Sequence, residues 1–124
     1  MSELHKELSR IEFEMRENSM THTPVENEMR FYEAVKRGDM DAARTLSTPL
    51  GGEGFGVLST DRLRNLKYHL VITVSFITRF CVEGGMERET AYNLSDLYIR
   101  KADLASSPEE LPLIHISEPT RQEA

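Results

Sequence analysis

The stretch DRLRNLKYHLVITVSFITRFCVE, Asp61 to Glu83, decides the fold of this chain. It contains no Gly or Pro and stops at Gly84-Gly85. Within it, Ile72-Thr73-Val74-Ser75-Phe76 alternates apolar and polar residues and is rich in β-branched side chains, which favours a strand. Three features favour a helix instead. The segment is longer than an ordinary strand and holds no turn. Ser59 is placed to cap its start, and the glycine pair suits a left-handed cap at its end. At helical pitch Leu63, Leu66, Leu70, Val74, Ile77 and Cys81 fall on one stripe. Ile72, Phe76 and Phe80 make a second apolar face, with Asp61, Arg64, Tyr68, Ser75 and Arg79 as a narrow polar stripe between them. Two apolar faces call for cover on both sides, so the helix is expected inside a bundle.

The same stretch is not a membrane span. Leu70 to Val82 carries Arg79 and falls short of the roughly 20 apolar residues a span requires. The opening Met1-Ser2-Glu3-Leu4-His5-Lys6 is polar and does not resemble a secretory signal. With 124 residues there is room for one domain with a modest core. A net charge of -6, from 15 basic and 21 acidic residues, argues against the chain gripping nucleic acid by itself. The lone Cys81 excludes an internal disulfide and a cysteine-based zinc site, and fits a cytoplasmic setting. His5, His22 and His115 are isolated, so no metal site is expected, and no cofactor motif is present.

Around the central helix the chain reads as helices. Residues 2–17 carry the helical stripe Leu4, Leu8, Ile11 and Met15, with Ser2 as cap, yet Ile11 to Arg16 alternates like a strand; the Glu12–Arg16 pair at i,i+4 favours the helix. Residues 1–22 form an N-terminal helix or connector. Thr23-Pro24-Val25-Glu26 predicts a helix start with Thr23 as cap and Pro24 at the first helical position. That helix should end before Gly38, and Asp39 should cap a short second one, making an αα-hairpin. Thr48 to Leu58 is a loop. Its GGEGFG run has no following lysine and does not follow a strand, so it is a poor phosphate loop. Glu87 to Leu94 and Asp96 to Leu104 predict two short helices with Ser95 capping or kinking the junction. Leu94, Leu97, Tyr98, Ala102 and Ala105 are expected inward there. Ser107-Pro108-Glu109-Glu110 announces another helix, which Pro112 would break. Leu113 to Arg121 looks like translated sequencing-adaptor sequence. The expected division is therefore a helical domain over 23–111 and a non-native or disordered tail over 112–124. The fold class expected is all-α, a single bundle with a long central helix and an αα-hairpin.

The ordered features Asn65-Leu66-Lys67-Tyr68-His69, Thr78-Arg79-Phe80-Cys81, Gly84-Gly85-Met86-Glu87, Ala91-Tyr92 and Ser95-Asp96-Leu97-Tyr98-Ile99 resemble a group of bacterial AraC-family transcription regulators. The upstream FYEAVKRGD also fits, so the resemblance covers about residues 23–111. In those regulators such a segment precedes a C-terminal pair of helix-turn-helix units, which this chain lacks. The resemblance therefore implies a cytoplasmic regulatory or dimerising segment, not an enzyme. It would bind DNA only through a further domain, and would form a homodimer or answer a small-molecule effector. Residues marked for effector or domain contacts are Tyr68, His69, Thr73, Arg79, Tyr92 and Asp96. His69 reads equally as a half-buried residue bonded to its own fold, and Arg79 as a partner of Asp96 or Glu87. Tyr92, Tyr98 and Ile99 either face another domain or close the bundle. A triad of His69, Ser95 and Asp96 has no support from spacing alone. The rival reading is a stand-alone helical protein-interaction adaptor; an enzyme comes third.

Overall fold

The computed structural model describes residues 2–22, 24–47 and 54–112. Among these there are five α-helices and no strand. The helices are α1 (Glu3–Glu17), α2 (Val25–Arg37), α3 (Met40–Leu46), α4 (Arg62–Glu83) and α5 (Arg88–Leu104), followed by a 3₁₀ turn at Pro108–Glu110. The chain is an all-α bundle centred on α4, which packs on α5 and on α2, while α3 folds back on α2.

The helix boundaries follow from local chemistry. Ser2 caps α1 by accepting a hydrogen bond from the His5 amide at 3.2 Å. Gly38 ends α2 in the left-handed region at φ 75°, where a side chain would be strained. Asp39 then accepts from the Ala42 amide at 3.1 Å and starts α3. This is the expected αα-hairpin, closed through Ala34 and Ala43, both buried. Pro24 is the N-cap residue of α2 rather than its first helical residue. The expected cap at Thr23 lies outside the described residues, as do the expectations for residues 113–124.

Helix α4 is capped by Asp61, not Ser59. The Asp61 carboxylate accepts from the Arg64 amide at 2.8 Å, while the Ser59 hydroxyl accepts from the Asp61 amide. A carboxylate at this position also interacts favourably with the positive end of the helix dipole. At the other end Gly84 is right-handed (φ -81°), and Gly85 takes the positive φ of 118°. Gly84 is needed for a different reason. A Cβ there would land on the backbone carbonyl of Lys36, at the end of α2. The two helix ends meet backbone to backbone, with Lys36 and Glu83 paired at 3.4 Å on the surface above.

The core lies on one side of α4. Leu66, Leu70 and Val74 pack with Ala102, Ala105 and Leu111, and Phe55, Leu63, Tyr98 and Ile99 close the edge. Small residues on α5 let its backbone approach α4. Leu111, just past the 3₁₀ turn, is fully buried, so the last described residues belong to the core. Its approach is set by Glu110, whose carboxylate accepts from the Ser106 amide at 2.9 Å.

Three expectations fail here. Residues 88–104 are one continuous helix, with Ser95 buried in its middle instead of capping a break. Its cap is Glu87, which accepts from the Glu89 and Thr90 amides. Leu94 and Leu97 are exposed, whereas Ala91, Ser95 and Ala102 face inward. The second apolar face of α4 is only partly covered. Ile72 and Phe76 are about half exposed; among the described helices α2 lies against that face and does not reach across it.

Candidate functional site

That partly covered face borders a groove of about 720 Å³ between α2, α4 and the segment at Gly54–Gly56. Groove volumes of this order suit small organic ligands. Its walls include Met29, Phe31 and Tyr32 of α2, Ile72, Thr73 and Phe76 of α4, and Phe55.

Aromatic packing builds the α2 wall. The Tyr32 ring stacks on Phe80, with centroids 5.4 Å apart and planes 13° from parallel. It tilts against Phe76 at the same distance and meets Phe31 edge-on at 5.0 Å. Such pairs hold a ring in place beyond simple burial. Burial pushes the Tyr32 phenol up to about 12, helped by the Glu28 carboxylate; the Thr73 side chain pulls part of the way back. Tyr32 therefore stays a neutral hydroxyl at the groove wall, beside Thr73.

His69 forms the other polar element. It is buried, and its Nε2 lies 2.6 Å from the Gly56 carbonyl oxygen. A carbonyl only accepts, so Nε2 carries the proton in this contact. The Phe55 ring meets the imidazole edge-on at 5.0 Å. Asn65 fastens the same segment, its Oδ1 accepting from the Leu58 amide at 2.6 Å and the Ser59 amide at 3.1 Å. Two α4 side chains thus fix the backbone that closes one end of the groove. His69 is accordingly bonded to its own fold, buried and not half-buried, and it also lines the groove.

Of the six marked residues, the structure brings His69 and Thr73 together on the groove. Arg79 and Tyr92 form a separate pair, with the guanidinium carbon 5.7 Å from the ring centroid. Arg79 also donates to the Ser75 carbonyl at 2.9 Å. This corrects the expected pairing with Asp96 or Glu87: Glu87 is engaged as the cap of α5, and its carboxylate is held below the usual range by the Thr90 and Glu89 amides. Tyr68 and Asp96 are exposed and line neither cavity. Tyr98 and Ile99 close the bundle against the core.

A second, small cavity of about 70 Å³ lies between α4 and α5, lined by Val74, Thr78, Cys81 and Ser95 among others. Burial pushes the Cys81 thiol up, which makes it less nucleophilic. Ser95 faces this cavity and His69 the groove on the α2 side, so the two do not form a triad with Asp96. Among the described residues no group of three His, Cys, Asp or Glu could hold a metal ion, and no helix is long and apolar enough to cross a membrane.

Tyr32, Asn65 and Gly56 were not marked from sequence. Tyr32 had a detectable signal: it sits in FYEAVKRGD at helical spacing from Ala34-Val35, next to a second aromatic. Nothing in the sequence points Asn65 at amides six and seven residues earlier. No protein-family model, curated protein or solved structure matches the chain.

Proposed function

We propose that this chain is the regulatory and dimerising segment of an AraC-type transcription regulator, with the groove between α2 and α4 as its effector site. The observation that carries the reading is the groove itself. Its neutral Tyr32 hydroxyl and Thr73 stand beside aromatic walls, in a body formed from the same residues that resemble AraC-family regulators. The ligand class it fits is a small, flat, largely apolar molecule with a hydrogen-bonding group.

The mechanism follows from what the groove touches. A ligand lodged there contacts α2 and α4 together, and α4 also carries the packing of α5. A ligand that binds one α2–α4 arrangement better than another shifts the population toward it. DNA reading belongs to a separate helix-turn-helix domain, since the acidic chain has no basic footprint for duplex binding. The test is the full reading frame of the gene that encodes this chain. Two helix-turn-helix units in frame support the reading; a frame that encodes neither overturns it. The second reading, a helical protein-interaction adaptor, is favoured by the uncovered apolar stripe of α1, and would hold if no such frame exists.

A further inference from the structure

Two helices of this chain carry apolar stripes that stand largely open to solvent: Leu4, Leu8 and Ile11 of α1, with Met15 part-buried, and Leu94, Leu97 and Leu104 of α5, of which Leu94 also borders the small α4–α5 cavity. On α1, Leu4, Leu8, Ile11 and Met15 recur at alternating spacings of four and three, the seam of a coiled-coil helix. Helix α1 buries none of its residues, and Leu4 is 75% exposed. On α5, Leu94, Leu97 and Leu104 are exposed along one line, Leu104 at 80%. At 1.5 Å per residue the stripes run about 16 Å and about 15 Å, so their lengths match.

Charge decides which surface pairs with which. The stripe of α1 is flanked at helical pitch by Glu7 and Glu14 on one side and Glu12 on the other. Two α1 helices laid together would bring these carboxylates against one another. The stripe of α5 holds Lys101 between Leu97 and Leu104, with Arg100 at its edge, while Asp96 and Asp103 turn away from it. Two α5 helices would place Lys101 against its own copy. Unlike pairing removes both conflicts and sets carboxylates against the lysine and arginine.

We propose that α1 of one copy lies along the exposed face of α5 of a second copy, so that two chains dimerise by reciprocal exchange of α1. A two-fold pair forms the contact twice, as symmetric dimers do. The proposal gives the dimerising part of the functional reading an interface, and rests on that part alone. A reading frame without DNA-binding units would leave the dimer standing. A monomeric chain would leave the reading-frame test untouched.

Sedimentation of the full chain tests it. The expected mass at micromolar concentration is twice 14.2 kDa. Lys101→Glu alone, and Glu12→Lys with Glu14→Lys, should each weaken the dimer by about tenfold or more, since like charges then face each other. Mixing the two variants should restore a dimer, because both contacts in the mixed pair again join unlike charges. A misfolded variant would not give this rescue. A monomeric wild-type chain overturns the proposal. So does a dimer that Lys101→Glu leaves unchanged, which would place the interface on α1 alone or elsewhere, and so does failure of the mixture to re-associate.

Discussion

Gly84→Ala separates two accounts of the end of α4. Gly84 is right-handed at φ -81° and ψ -3°, a conformation alanine adopts freely. If capping were all that mattered, the substitution would stabilise the fold by about 0.4–1 kcal/mol through the unfolded chain. The structure predicts the opposite sign. The added Cβ would meet the Lys36 carbonyl, and a backbone group cannot swing aside as a side-chain tip can. Helix α2 must then lift from α4. Overpacking of this kind costs about 1–3 kcal/mol. Allowing for the backbone gain, the net loss is up to about 2.6 kcal/mol, which lowers Tm by roughly 3–6 °C per kcal/mol in a chain between the 100- and 150-residue cases. Thermal melts by circular dichroism measure it. A second readout ties the effect to α2: the displaced helix should loosen the Tyr32–Phe80 stack, so the Tyr32 phenol should titrate below its wild-type value. A Tm equal to wild type or higher would show that the two helix ends do not touch as described.

Other outcomes can be checked directly. Ultraviolet titration should show a tyrosine step near 12, and Tyr32→Phe should remove that step. The folded value lies above the ordinary one of about 10, so the stabilisation linked to Tyr32 is complete below pH 10 and is lost as pH rises toward 12. Glu87 is shifted the other way. Its contribution is present above the usual carboxylate range and lost as pH falls through its depressed folded value, so Glu87→Gln should lower Tm at pH 7, and the difference from wild type should shrink as pH falls below the usual carboxylate range. Leu111→Ala should cost about 2–5 kcal/mol in denaturant unfolding, as for any fully buried leucine. Phe76→Ser, at a side chain 48% exposed, should cost markedly less, and equal losses would mean that the second face of α4 is covered after all.

The helices were legible because their signals are local. Ser2, Gly38 and Asp39 act where their chemistry requires, and the α4 stripe Leu66–Leu70–Val74 is the core. The misplaced features depend on what lies across from a residue. Ser95 looked like a break because serine favours helix ends, yet in a buried helical position its small size decides. Glu87 reads from sequence as the first helical residue, since glutamate is not among the preferred capping residues. Ile72 and Phe76 show that apolarity predicts a wish for cover and cannot say whether cover arrives. The candidate site was half legible. His69 and Thr73 lie on α4 itself, where periodicity groups them, whereas Tyr32 and Gly56 join them only through the packing of α2 and the loop.

The burial of Leu111 also sets a clock. Leu66, Leu70 and Val74 are translated well before the alanines of α5, and Leu111 follows later still. At about 5–20 residues per second, several seconds pass between synthesis of Leu66 and of the residue that completes its cluster. Through that interval α4 can pair with α2 alone, leaving its most apolar stripe open to water and to neighbouring nascent chains. Ribosomal pausing after Leu104 would lengthen that exposure, whereas faster passage through residues 105–111 would shorten it.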